Sequence, residues 1–272
     1  MNKITVITPT WNQAEFIRDT IESVIHQTYR EIEYFIIDNC SDDGTQEIVE
    51  EYCSRDPRIT YIRERDHGQA QAINKGLQRA SGDIVCWLNS DDYYYDTHVL
   101  ERVADQFDKN PDVGLLVGDG WYCNKEKELT EYNASDRHVS PWVIQRWYYI
   151  MQPSVFWRNH HKLLDERYHY VFDWKFFIEM YAEQKVSYTH EAYAVYRMYG
   201  DNKTGQDNAG RKKEIYLLQK ELDVSRCNIL WCRHVYKVYL RAEKTGRLSA
   251  KKRVDFVSRV LFHLSGRRIC SF

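Results

Sequence analysis

Nowhere do these 272 residues hold an apolar run of about 18, the length a membrane-spanning helix needs. The first ten residues, MNKITVITPT, carry no apolar signal-peptide core and lead straight into strand-prone sequence. Neither secretion by that route nor a spanning segment is therefore expected. Cysteines number seven, at 40, 53, 86, 123, 227, 232 and 270, and no two form CxxC. An odd, scattered set fits reduced thiols in a cytoplasmic protein better than a disulfide framework or a zinc site. No GxGxxG follows the first strand and no GxxxxGK[ST] occurs, so the dinucleotide fingerprint and the P-loop are both missing. HExxH and GxSxG are missing as well. There is no internal repeat and no low-complexity tract.

What is present is the composition of an ordinary folded protein, 43% hydrophobic and 29% charged. Aromatics reach 14%, with 21 Tyr and 8 Trp, which points to a Tyr-rich core or to carbohydrate contacts. The net charge of -2 hides an asymmetry. From Arg211 onward there are 16 Lys/Arg against 5 Asp/Glu, while the rest of the chain has 22 against 35. An acidic body with a basic tail suggests that the tail meets something anionic.

The pattern of elements is alternating. Lys3 to Thr8 reads as a strand ended by Pro9, and Asn12 is placed to cap a helix carrying Ile17, Ile21, Val24 and Ile25. Ile32 to Ile37 is a second strand, a helix runs to about Tyr52, and Ile59 to Arg63 is a third strand. Gln69 to Ala80 is a helix, and Ile84 to Leu88 a fourth strand. Thr97 to Lys109 is the next helix. Short connections between such units predict an α/β fold with a mostly parallel sheet and helices on both faces. Beyond Lys109 the expectation is a strand at 114–118, a hairpin over 121–132, a short strand at 153–157, a helix starting at Asp173 and a strand at 193–198. Two helical segments, 211–244 and 250–264, close the chain.

The stretch IVCWLNSDDY, Ile84 to Tyr93, is the centre of this pattern. A buried strand ends there in Asn89, Ser90, Asp91 and Asp92, and open α/β sheets bind ligands at that end of their strands. Two adjacent carboxylates repel unless a cation joins them, and a divalent ion with hard oxygen ligands is the natural candidate. The alternative is that both acids cap the following helix. The other strand ends add Thr8 and Thr10, then Asp38, then Arg63, Asp66 and Gln69. A carboxylate at a strand end can accept from a base or ribose, and a guanidinium can meet phosphates. Singly, Thr8 could satisfy backbone, Asp38 a turn, and Arg63 could be solvated surface. Adjacent His160 and His161 would point apart, which makes them surface residues.

Four stretches occur in a characteristic order: ITPTWNQAEFIRDTIESVIHQTYREIEYFIIDNCSDDGT, DHGQAQAINKGLQRASGDIVCWLNSDD, QPSVFW and LDERYHYVFDWKFFIEM. Together they resemble a family 2 glycosyltransferase of GT-A fold over roughly 1–205. The resemblance implies an inverting transfer from a nucleotide-diphospho-sugar, usually with Mg²⁺ or Mn²⁺. It gives Thr8, Pro9 and Asp38 nucleoside-binding roles. Asp66, Gly68, Gln69 and Asn74 become the segment closing over the nucleotide. Arg63, Ser90 and Gln152 join the nucleotide-sugar site. Asn89-Ser90-Asp91 takes the place of the family's Asp-x-Asp motif, so that Asp91 with Asp92 would hold the metal. Asp173 takes the place of the catalytic base, and its neighbours Phe172 and Trp174 would raise its basicity. Three departures stand out: Asn89 for the first acid, Gln71 where many relatives carry an acid, and Tyr199 where relatives often carry a metal-reaching His.

Residues 206–272 form a basic helical extension outside the resemblance. Val254, Val257, Leu261 and Leu264 make an apolar stripe amid Lys251, Lys252, Arg253, Arg259, Arg267 and Arg268. Such a helix over 250–268 can lie on an anionic membrane surface, suiting a lipid-linked saccharide acceptor and a peripheral place on the inner face of the cell membrane. Equally, it can pack its stripe on the catalytic domain. Nucleic acid is not expected. Two other readings stay open: a catalytically silent nucleotide-sugar-binding subunit, which Asn89 and Tyr199 keep alive, and a nucleotidyltransferase, against which the missing triphosphate loop argues.

Overall fold

A computed structural model of the chain describes residues 2–134, 144–146, 148, 150–200 and 209–224. The basic stripe at 250–268 and the cysteines at 227, 232 and 270 lie outside the described residues. The chain divides into two compact units. The first comprises residues 1–135 and 150–214, and the second 136–149 and 215–272. What is described of the second is 144–146, 148 and 215–224, including the C-terminal half of a helix.

The first unit opens with the expected alternation. It runs β1 (Ile4–Thr10), α1 (Ile17–Ile25), β2 (Ile32–Asp38), α2 (Thr45–Cys53), β3 (Ile59–Arg63), α3 (Gln69–Leu77) and β4 (Ile84–Trp87). Then come β5 (Tyr93–Tyr94), α4 (Val99–Lys109), and the hairpin β6 (Leu115–Cys123) and β7 (Leu129–Asn133). A 3-10 turn (Gln152–Ser154) leads into β8 (Val155–Arg158), followed by α5 (Phe172–Glu183), β9 (Val186–Arg197) and α6 (Ala209–Glu221). One sheet takes the order β3-β2-β1-β4-β8-β6-β9-β5, with β7 on β6. The pairs β3-β2, β2-β1 and β1-β4 are parallel. Strand β8 runs antiparallel to both β4 and β6, which restores the direction of β6, and β9 is parallel to β6. The carboxyl ends of β1, β2, β3, β4, β6 and β9 therefore reach one rim, while β5, β7 and β8 run the other way.

All seven residues of β1 and all four of β4 are buried, as in strands covered on both faces. Pro9 does not end β1; it lies inside it, opposite Ile37. The reason is which way its missing N–H would point. Odd residues of β1 bond toward β4, as Ile7 O does with Leu88 N, and β4 ends at Trp87 beside Ile7. The absent donor thus falls where no partner strand remains. Asn12 does not cap α1, which begins only at Ile17; its φ is 51° and its backbone N–H goes to Ser41 Oγ, 2.8 Å away. Asp91 and Asp92 do not cap α4 either. That helix starts at Val99, and Asp96 meets the His98 N–H at 2.8 Å.

Helix α5 is fixed by aromatic packing. Trp87, the last residue of β4, lies 5.6 Å from Phe177, 5.7 Å from Phe176 and 5.3 Å from Trp157 of β8, ring centre to ring centre. These side chains are at most 1% exposed, and burying a large apolar side chain contributes about 1.5–3 kcal/mol. The acids that follow β4 and the start of α5 are thereby held by one cluster.

Candidate active site

The carboxyl ends of the central strands bring together most, but not all, of the residues expected there. Asp38, the last residue of β2, is fully buried. It accepts from Ser41 Oγ at 2.5 Å, Ser41 N at 3.1 Å and the Tyr61 hydroxyl at 2.6 Å. Burial and the bond to Asp38 both push the Tyr61 phenol up, so it remains a donor. Arg63 Nε lies 3.7 Å from Asp38, and Arg63 Nη2 donates to Ser41 O at 3.1 Å, with 40% of the side chain exposed. Thr8 is not on the rim: it is fully buried and shares a 3.0 Å hydrogen bond with Tyr34. Pro9 is buried beside it. Trp11, one residue past β1, is 60% exposed and presents a flat apolar face at the rim. Its signal in the sequence is an aromatic immediately after a buried strand end.

The next segment is a tight turn. Asp66 accepts from Gly68 N at 2.9 Å, and burial pushes its carboxyl up. Gly68 has φ 144°, and a Cβ there would lie 2.9 Å from the His169 ring. Gly68 therefore permits both the backbone conformation and the close approach of the chain that leads into α5. Gln69, first in α3, donates to Asn89 Oδ1 at 2.8 Å. Asn74 is buried and bonds Leu164 N, Leu164 O and Glu166, and Gln71 donates to Glu166 at 2.9 Å. These two amides tie α3 to the 164–166 loop. The loop's continuation is held by Glu214 of α6, which accepts from the backbone N–H groups of His169, Tyr170 and Val171. Asp173 then falls second in α5, not at its cap, with Oδ1 accepting its own neighbour's Trp174 N–H at 2.7 Å. A carboxylate in the first turn is favoured by the helix dipole.

At the end of β4 the two acids differ. Asp92 is 1% exposed and faces inward. Its Oδ1 accepts from Arg197 N at 3.0 Å and its Oδ2 from Asn89 Nδ2 at 3.3 Å. Asn89 Nδ2 also donates to Gln152 Oε1 at 3.2 Å, and Gln152 Nε2 to Trp87 O at 2.8 Å. An aspartate at 89 would accept from Gln69 but have no hydrogen for Asp92 or Gln152, so the amide fits this place. Ser90 is buried between them. Asp91 Oδ2 accepts from the Tyr199 hydroxyl at 2.9 Å. Burial pushes the Asp91 carboxyl up, with the Tyr199 bond acting the other way. Burial and the charge of Asp91 push Asp92 well up.

Two acids whose ionised forms are this costly make a place that a cation would relieve. Among the described residues no group of three or more His, Cys, Asp or Glu gathers around them. Of the two, the half-buried Asp91 is the carboxylate with the chemistry to hold a hard divalent ion.

The profile of glycosyl transferase family 2 matches residues 5–205. The chain belongs to glycosyl transferase family 2. Over 90 residues it is 43% identical to a Bacillus subtilis (strain 168) protein named for teichuronic acid biosynthesis, TuaG. That alignment covers 33% of this chain and 36% of TuaG. A crystallised fragment of S. aureus TarS in complex with UDP-GlcNAc superposes with TM-score 0.65 at 20% identity, covering 79% of this chain and 64% of the fragment. The mannosyltransferase PcManGT from Pyrobaculum calidifontis, solved with GDP-Man and Mn²⁺, gives TM-score 0.57 at 15% identity, covering 96% of this chain and 81% of that one. The fold of the family 2 chain is accordingly the expected GT-A fold, with a mixed sheet. No described helix is long and apolar enough to cross a membrane.

Proposed function

We propose that this chain transfers a sugar from a nucleotide-diphospho-sugar to an acceptor hydroxyl with inversion, in cell-surface polysaccharide or glycoconjugate synthesis. The observation that carries the proposal is the convergence, at one rim of a GT-A sheet, of Asp38, Arg63, the Asp66–Gln69 turn and Asp91. TuaG's name and the sugar nucleotides bound by TarS and PcManGT support the same reading. Asp38, held by Ser41 and Tyr61, receives the nucleoside, and the exposed part of Arg63 meets the phosphates. Trp11 offers a stacking face for the base. The Asp66–Gln69 turn orders over the nucleotide, and Gln152, Asn89 and Ser90 set the floor. Asp91 would hold Mg²⁺ or Mn²⁺, which when bound supplies Lewis-acid neutralisation of the leaving diphosphate. Asp92 keeps the strand end in place from beneath.

Asp173 takes the proton from the acceptor hydroxyl as that oxygen attacks the anomeric carbon from the face opposite the diphosphate. General-base assistance of this kind is worth about 10²–10⁴-fold. The acceptor is a saccharide, and a lipid-linked one would suit the basic extension at the membrane surface. The test is Asp173→Asn. Sugar transfer should fall by about 10²-fold or more, while affinity for the nucleoside diphosphate stays at the wild-type value by calorimetry. Undiminished transfer would remove Asp173 as base. A wild-type chain that binds nucleotide sugar but transfers nothing to any acceptor would leave the silent subunit.

A further inference from the structure

The far end of β9 touches both acids at once. Arg197 N donates to Asp92 at 3.0 Å, and two residues later the Tyr199 hydroxyl donates to Asp91 at 2.9 Å. Nothing in the sequence near Asp91 hints at this, since the partners lie 105 and 108 residues away.

That strand end is itself held from behind by α1. The Arg197 side chain is 3% exposed and bonds Asp19 Oδ2 at 2.8 Å. Its guanidinium lies 4.7 Å from the centre of the Phe16 ring and 5.6 Å from that of Tyr93. Phe16 also packs against Tyr199, at 4.9 Å. One phenyl ring thus contacts both residues that serve the acids. Lys127, from the β6–β7 turn, bonds the other oxygen of Asp19. Although burial opposes it, the bonds from Lys127 and Arg197 hold the Asp19 carboxyl below its ordinary value. Asp19 is therefore a charged anchor, and it joins α1, the hairpin turn and β9.

From this geometry we infer that Phe16, Asp19, Arg197 and Tyr199 form a positioning clasp. It orients Asp91 toward the diphosphate of the donor and its divalent ion, without any of the four touching the nucleoside. The inference rests on the proposed nucleotide-sugar site. Tyr199 does not stand in as a metal ligand. Its hydroxyl takes Asp91 Oδ2 and, on this inference, turns the carboxylate so that Oδ1 meets the ligand. Asp91 then points the right way only while the clasp holds Tyr199 in place.

The clasp acts on the phosphates alone, so its loss should discriminate between ligands. Tyr199→Phe keeps the ring on Phe16 and removes only the hydroxyl. Asp19→Asn keeps the shape and removes the charge that anchors Arg197. For each variant of the full chain, calorimetry would measure affinity for a nucleoside diphosphate and the matching monophosphate, with Mn²⁺ and with chelator. The base is whichever of uracil, guanine, cytosine or thymine the wild type binds. Outer partners of a metal-holding residue typically contribute about 10–100-fold, so Tyr199→Phe should weaken the diphosphate with Mn²⁺ by roughly tenfold or more. Monophosphate affinity should stay at the wild-type value, and the melting temperature should fall by no more than the loss of one hydrogen bond explains. Asp19→Asn should show the same selective loss with a larger fall in melting temperature, a readout that separates anchoring from orientation. Equal loss for mono- and diphosphate, or no loss in Tyr199→Phe, would overturn the clasp. A wild type that binds none of these nucleotides would overturn the nucleotide-sugar reading itself.

Discussion

The same strands carry a carboxylate centre at each end, and the two are built in opposite ways. At the amino ends stands Glu33, second residue of β2, with 16% of its side chain exposed. Five donors converge on it: Lys3 Nζ at 2.7 Å, Thr5 Oγ1 at 2.5 Å, Ser81 N at 2.6 Å, Ser81 Oγ at 2.7 Å and Gly82 N at 3.1 Å. Burial raises its pKa, but the bonds from Lys3, Thr5 and Ser81 win and bring it down to about 2. At the carboxyl ends stands Asp91, where burial wins and the carboxyl is pushed up. Its one side-chain donor among the described residues is Tyr199. Equal chemistry therefore serves stability at one end and, on the proposed function, readiness for a ligand at the other. A carboxylate already satisfied by five protein donors has nothing left to offer, whereas an under-supplied one gains most when a cation arrives.

This contrast breaks cleanly if the substitutions fail to cross over. Asp91→Asn should cost sugar transfer about 10²–10³-fold yet raise stability by about 1 kcal/mol, since it removes a costly buried charge. Steady-state rates and urea unfolding would check both halves. Glu33→Gln should do the reverse: transfer unchanged, and stability lowered by about 1–3 kcal/mol because several donors lose a charged acceptor. A Glu33→Gln variant as stable as wild type would dissolve the distinction.

The pH dependence sharpens it. The folded pKa of Glu33 is depressed from an ordinary 4.5 to about 2. A depressed carboxyl contributes stability that is present above the unfolded value and is lost as pH falls through the folded one. The Glu33 contribution should therefore fade between about pH 4.5 and 2, and wild type and Glu33→Gln should converge at the acid end of that window. Asp91, whose pKa is raised, has the opposite sign. Its contribution is lost as pH rises, so Asp91→Asn should gain on wild type as pH increases. The smallest effect belongs to Tyr61→Phe, which removes one of several donors to Asp38. It should cost about 1 kcal/mol by urea unfolding and weaken nucleotide binding only a few-fold.

The first four strand-and-helix units were legible in the sequence because each is a short apolar run punctuated by polar turns. Their tips followed from direction alone, which is why the sequence could put Asp38, Asp66 and Asp91 after strand ends. Strand β9 was only partly legible. Its first half, Val186 to Ala192, is polar and half-exposed, so it lacked the hydrophobic signal that its second half carries. Two-residue β5 has too little sequence to show any period. Thr8 and Asn74 have surroundings that the sequence did not show. Both carry the right groups, but tertiary partners, Tyr34 for one and Leu164 with Glu166 for the other, had already taken them. The anchoring of Arg197 to Asp19 spans 178 residues and has no local trace. How the acids are supported was therefore hidden, while where they stand was not.

The most direct test is thermal melting of the full chain with UDP, GDP, CMP and dTDP, each with and without Mn²⁺. A ligand that binds only the folded state raises the melting temperature by mass action. A Mn²⁺-dependent rise with one nucleoside diphosphate, absent in Asp91→Asn and retained in Glu33→Gln, is the expected result. No rise with any nucleotide, or the same rise in Asp91→Asn as in wild type, would contradict the assignment of the rim acids to a sugar-nucleotide site.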